Sequence, residues 1–195
     1  MVVESKAQGK QVRVALMLDE MSIRKQIKWH INRYRGFVDL GTGTENDDDS
    51  PVAKDALVFM VVSITTCWKA PCAYFLIDGL SGVERVNVVK FCTKRLHDID
   101  IKVVSLTCDG PSFHFSMLRE LGASINLAKL QASFPHPLDK NVLIHIFLDV
   151  CHMLKLVRNT LGEKEILVTA KKSGGDILRL HMNFKERRAC DLQIS

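Results

Sequence analysis

Short apolar runs alternate with polar stretches along this chain, and the period of the apolar positions changes partway through it. Residues 12–18 (VRVALML) are apolar and β-branched at their start, which predicts a buried strand. Residues 27–40 (IKWHINRYRGFVDL) show partial alternation with aromatics. They predict one or two strands of a hairpin, with a bend at Gly36. Residues 41–51 (GTGTENDDDSP) have the composition of a surface loop. Residues 56–64 (ALVFMVVSI) are the strongest buried strand, and 72–77 (CAYFLI) are a shorter one.

The period then becomes helical. Ser81 and Glu84 fit an S-x-x-E capping box, and Val86, Val89, Cys92 and Leu96 follow on one helical face. Residues 81–98 are therefore expected to form an amphipathic helix. Residues 102–108 return to strand. Ser112 is placed to cap a second helix through Leu121, with Gly122 as its stop. FPHP at 134–137 is expected to be a turn or loop, and 142–148 a further strand. Asp149 is placed to cap a last helix bearing Met153, Leu156, Val157 and Leu161, stopped by Gly162. Hairpins first and helical crossovers later imply an α/β fold: a mixed sheet flanked by helices.

Domain organisation follows the same pattern. Residues 1–11 are a polar lead-in, 12–165 a single core, and 166–195 a divergent, poorly ordered tail in which periodicity fades. A hydrophobic fraction of 47% rules out wholesale disorder. No apolar run approaches the roughly 20 residues of a membrane span, and the N-terminus lacks the apolar segment of a secretory signal. The chain is expected to act inside the cell, without a membrane partner. Its six cysteines then read as small buried hydrophobes or free thiols.

The net charge of +5 matters less than its distribution. Arg24, Lys25, Lys28, Arg33 and Arg35 fall between Ser22 and Val38 with no acid among them. A solvated hairpin face and a phosphate-contacting stripe both fit that composition. Their position just after Asp19 favours nucleic acid.

Two apolar runs end in acids. VRVALMLDEM delivers Asp19 and Glu20, and KVVSLTCDG delivers Asp109. One Asp on each of two adjacent strands is an economical start to a metal-dependent nuclease or strand-transfer site, because Mg²⁺ takes hard oxygen ligands. The competing reading is that each Asp is a cap or turn residue. Asp39, closing GFVDLG, rivals Asp19 as the first acid, and Asp78 and Asp149 also close apolar runs.

The ordered segments LMLDEMSIRK, GFVDLGTG, ALVFMVVSITTCWKAPCAYFLIDGL, VVSLTCDGPS and DVCHMLKLVRN resemble the catalytic core of P-element-type transposases, particularly the domesticated THAP-domain transposases. The resemblance spans roughly residues 12–165. It implies an RNase H-like fold and cut-and-paste DNA transposition with Mg²⁺. It also implies a nuclear location and DNA as partner, with self-association or association with a full-length transposase. Asp19 and Asp109 would be the first two catalytic, metal-ligating acids. The family also binds GTP in an insertion, and residues 149–159, with His152, Lys155 and Arg158, resemble the stretch leading into it. The family's zinc-binding DNA-recognition domain and its third acid are not matched. Glu163 and Glu165 are nearby glutamates but do not fit the third position. The expectation is a transposase core fragment inactive by itself, the alternative a non-catalytic derivative that binds DNA or protein.

Overall fold

The computed structural model describes residues 11–31, 33–41, 50–110, 112–124, 129–164, 166–169 and 178–181. The chain divides into two units, residues 1–149 and 150–195. In the first, a six-stranded mixed sheet has the order β5-β4-β1-β6-β8-β7. Its strands are β1 (Val12–Ser22), β4 (Asp55–Ser63), β5 (Lys69–Ile77), β6 (Ile101–Cys108), β7 (Ser133–Pro135) and β8 (Leu143–Leu148). A separate two-stranded ribbon pairs β2 (Lys28–His30) with β3 (Arg33–Arg35). Strands β1, β4 and β5 pair antiparallel, whereas β1, β6 and β8 run parallel.

Strand β1 is central because its alternation suits a sheet covered on one face. Val12, Val14, Leu16 and Leu18 are buried, while Arg13, Met17 and Asp19 are exposed. The buried set packs with helix α1 (Gly82–Asp98) through Val86, Val89, Cys92 and Leu96, the four positions expected from periodicity. Fully burying one such aliphatic side chain stabilises by about 1.5–3 kcal/mol. The capping box forms as expected: Glu84 N–H donates to Ser81 Oγ at 3.3 Å, and Ser81 N–H donates to Glu84 Oε2 at 2.8 Å. Helix α2 (Ser112–Glu120) packs against α1. Gly122, at φ +98°, ends it: Gly122 N–H reaches Arg119 O and Ala123 N–H reaches Leu118 O, a Schellman closure.

Several expectations need correction. Strand β1 does not stop before Asp19 but runs to Ser22, because β4 continues the ladder from Asp19↔Val58 to Ser22↔Asp55. Strand β5 starts at Lys69, with Pro71 tolerated near the sheet's edge. FPHP is not wholly loop: Phe134 and Pro135 pair with Ile144 and Leu143, and Phe134 is buried. Ser112 lies within α2 itself.

The second unit contains helix α3 (Val150–Lys164) and a hairpin of β9 (Ile166–Thr169) with β10 (Leu178–His181). Gly162 does not stop α3, which continues through it to Lys164; a helix-interior glycine costs only about 1 kcal/mol. Eight residues of the expected irregular tail thus pair as strands, since Ile166, Leu167 and Val168 favour an extended ladder. The lead-in at 1–10 and the acidic run Asp47, Asp48 and Asp49 lie outside the described residues.

Candidate functional site

The parallel register decides which acids meet. The last paired positions of β1 and β6 are Met17 and Thr107. Asp19 and Asp109 each follow two residues later, so both backbones arrive side by side just past the end of the parallel β1–β6 ladder. A register shift between Val14 and Ala15 produces this alignment. Asp149 stands on the other flank of β6, since its N–H donates to Cys108 O at 2.8 Å. Asp39 is elsewhere. It bridges Leu76 on the outer edge of β5, so β5, β4 and β1 separate it from β6. Four strand spacings of ~4.8 Å put it roughly 19 Å from Asp109. Its carboxylate also accepts Gly41 N–H at 2.8 Å, a turn role. Asp78 is engaged by Lys54 at 3.0 Å, and that carboxylate raises the lysine's pKa. This geometry favours Asp19 as the partner of Asp109.

Each strand end is tethered by a residue that the sequence reading did not single out. Glu20 sits beside Asp19 on the opposite face of β1. Its carboxylate accepts from Arg85 Nη1 at 2.5 Å, and Arg85, 3% exposed, also donates to Leu80 O. On α2, fully buried His114 places Nδ1 3.1 Å from the Asp109 carbonyl oxygen in a hydrogen bond, and 2.6 Å from Asp109 Oδ1 in a close polar contact. Burial lowers the His114 pKa, with Asp109 acting in the opposite direction, so the imidazole is held neutral. Cys108, next to Asp109, has its thiol pushed up to about 12 by burial and behaves as an apolar filler. A histidine among the apolar residues of α2, five residues after the Asp that closes β6, was the sequence signal for this contact.

Two hard oxygen donors at one sheet end fit a Mg²⁺ ion that retains several waters. Among the described residues no group of three or more His, Cys, Asp or Glu side chains is arranged to hold a metal. Glu163 lies in α3 but its side chain is not described, and Glu165 is outside the described residues. Cys92 is buried like Cys108, whereas Cys67, Cys72 and Cys151 are exposed.

The basic residues sit at the same end of the sheet. Ile23 N–H donates to Lys54 O and Ala53 N–H to Gly36 O, which anchors the β2–β3 ribbon where β1 ends. Gly36 closes its base at φ +112°; a Cβ there would lie 2.1 Å from Gln26 O. Arg24, Lys25, Lys28 and Arg35 are exposed. Arg33 lies in β3, opposite His30. By contrast, a recess of about 560 Å³ lined by residues 62–69 lies at the β4–β5 turn, the sheet end away from Asp19.

Strand order, parallel register and paired acids define an RNase H-like domain. A family profile described as TNP-like, RNase H N-terminal domain, matches residues 2–122, and the chain belongs to that family. It is 30% identical to the DNA transposase THAP9 of Homo sapiens over 147 residues, covering 74% of this chain and 16% of that protein. It is 26% identical to the transposable element P transposase of Drosophila melanogaster over 113 residues, covering 58% of this chain and 14% of that protein. The chain thus spans less than a fifth of the length of these relatives. In solved structures, the Drosophila P element transposase strand transfer complex matches with a TM-score of 0.64 at 19% identity, over 93% of this chain and 35% of that one. The fold is shared, and the resemblance to P-element-type transposases is borne out. No helix among the described residues is long and apolar enough to cross a membrane.

Proposed function

We propose that this domain forms part of the catalytic core of a cut-and-paste DNA transposase and acts on DNA in the nucleus. The observation that carries the reading is the in-register arrival of Asp19 and Asp109 on adjacent parallel strands. Asp19 and Asp109 would hold the divalent metal, which supplies charge stabilisation and activation of the attacking hydroxyl when bound. The chain's own residues do the rest. Glu20–Arg85 and His114 fix the two strand ends, and Arg24, Lys25, Lys28, Arg33 and Arg35 contact DNA phosphates. GTP is implied by the family resemblance, through an insertion whose approach residues 149–159 resemble.

The test is a cleavage assay on terminal-repeat DNA with the purified 195-residue chain and Mg²⁺ or Mn²⁺. Little or no cleavage is expected, because Asp19 and Asp109 supply two of the three acids that the family resemblance implies. Mn²⁺ binding measured by calorimetry is expected, and should be lost in Asp109→Asn. Wild-type binding that survives both Asp19→Asn and Asp109→Asn would overturn the site. The exposed basic residues Arg24, Lys25, Lys28 and Arg35 also fit a second reading, a non-catalytic derivative that binds DNA or a full-length transposase. DNA binding without Mn²⁺ binding would select it. Steep loss of DNA affinity with salt supports phosphate contacts, and no binding at low salt removes them.

A further inference from the structure

The β2–β3 ribbon presents two chemically different faces. Lys28 stands directly opposite Arg35, and Trp29 directly opposite Tyr34. Successive strand residues point to opposite faces, so the basic pair and the aromatic pair lie back to back. The two rings meet edge to face, with centroids 4.8 Å apart at 71°. That contact steadies them but does not bury them: Trp29 is 62% exposed and Tyr34 52%. Ile27, at the ribbon's base, is 44% exposed, and Ile31, at its tip, 77%.

Neither face makes sense as a stabilising device alone. Like charges directly opposite each other on paired strands are destabilising, and large aromatic surface left in water forgoes its burial energy. A ligand that is both polyanionic and rich in flat π-faces relieves both costs. Nucleic acid has that combination, and bases outside a duplex offer their faces. Aromatic side chains beside a basic track are how sequence-tolerant single-strand sites are built.

We propose that Trp29 and Tyr34 form a stacking site for unpaired DNA bases, with Lys28 and Arg35 on the ribbon's other face adding electrostatic attraction for the strand's phosphates. The ribbon is anchored at the sheet end that carries Asp19 and Asp109. Bases splayed from a strand near those acids would be at the sheet end where the ribbon is anchored. The inference rests on the DNA-contact part of the proposed function and adds a ligand class: unstacked bases in place of duplex backbone alone.

The test uses the 195-residue chain with three labelled probes: a short mixed-sequence single strand, its duplex, and an abasic strand of equal length. The wild type should prefer the single strand and lose that preference on the abasic strand. Its tryptophan emission should be quenched by the single strand. Trp29→Leu and Tyr34→Leu keep apolar bulk but remove the π-face. Each should lower single-strand affinity roughly 5- to 100-fold and leave duplex affinity unchanged. Trp29→Leu should also abolish the quenching, while Trp29→Phe retains most of the affinity. Lys28→Ala with Arg35→Ala should weaken all three probes. If the leucine variants lose single strand and duplex equally, or lose neither, the stacking site is wrong while the phosphate contacts stand. If the wild type binds no probe at low salt, both are wrong.

Discussion

The His114 imidazole brings Nδ1 within 2.6 Å of Asp109 Oδ1, across the short turn between β6 and α2. The ring is fully buried, so its own position is fixed by packing and it transmits that position to the carboxylate. Groups that orient a metal-ligating side chain are worth about 10- to 100-fold in affinity. His114→Ala is therefore expected to weaken Mn²⁺ binding by that factor. His114→Asn, which retains a donor, should recover part of it. Calorimetric titration of variants shown by circular dichroism to be folded checks this. Unchanged affinity in His114→Ala would mean that the pair serves packing alone.

Glu20 and Arg85 make the second tether, and its energetics are asymmetric. Removing the acid takes away the carboxylate that faces a guanidinium only 3% exposed. Glu20→Gln should cost about 3 kcal/mol, the usual penalty for leaving a buried charge uncompensated. Replacing both, as Glu20→Leu with Arg85→Met, should restore most of that stability in urea unfolding. A single variant as stable as wild type would show that the ion pair contributes nothing.

The capping box at Ser81 makes a smaller, local prediction. Ser81→Ala removes the acceptor for Glu84 N–H and the partner of the Glu84 carboxylate. The expected cost is about 1 kcal/mol, or roughly 3 °C in the melting temperature. Ser81→Asp should preserve the cap. An unchanged melting temperature in Ser81→Ala would contradict it.

Acid sensitivity should come from two buried histidines. His136 is 2% exposed, and its Nδ1 accepts Leu138 N–H at 3.2 Å, a bond that protonation there would break. Burial lowers its pKa below 6.5, with His97 and Lys102 adding to the effect. Burial likewise lowers the pKa of His114. A histidine whose folded pKa is depressed is protonated more readily when unfolded. Stability is thus complete above pH 6.5 and falls as pH drops from there toward the folded pKa. Urea midpoints at a series of pH values should show this slope, and His136→Gln should flatten it. A slope of opposite sign would rule the histidines out as its source.

Much of the architecture was legible in one dimension. Alternation in 12–18, the run at 56–64 and the capping box at Ser81 are local signals, and local physics produces them. Asp19 and Asp109 were legible as candidates for the same reason: each closes an apolar run. Choosing between Asp19 and Asp39 was not, because both close such runs and nothing in the sequence says which strand neighbours β6. The register shift between Val14 and Ala15, the Arg85–Glu20 pair and the His114–Asp109 contact join residues whose meeting depends on long-range strand pairing and helix packing. The sequence by itself determined the elements, the central strand and the acids worth considering. Only the tertiary structure decided which acids share a sheet end, what holds them there, and that the aromatic and basic residues of 28–35 occupy opposite faces of one ribbon beside them. Periodicity records the environment of each residue, whereas a site depends on which distant residues the strand order brings together.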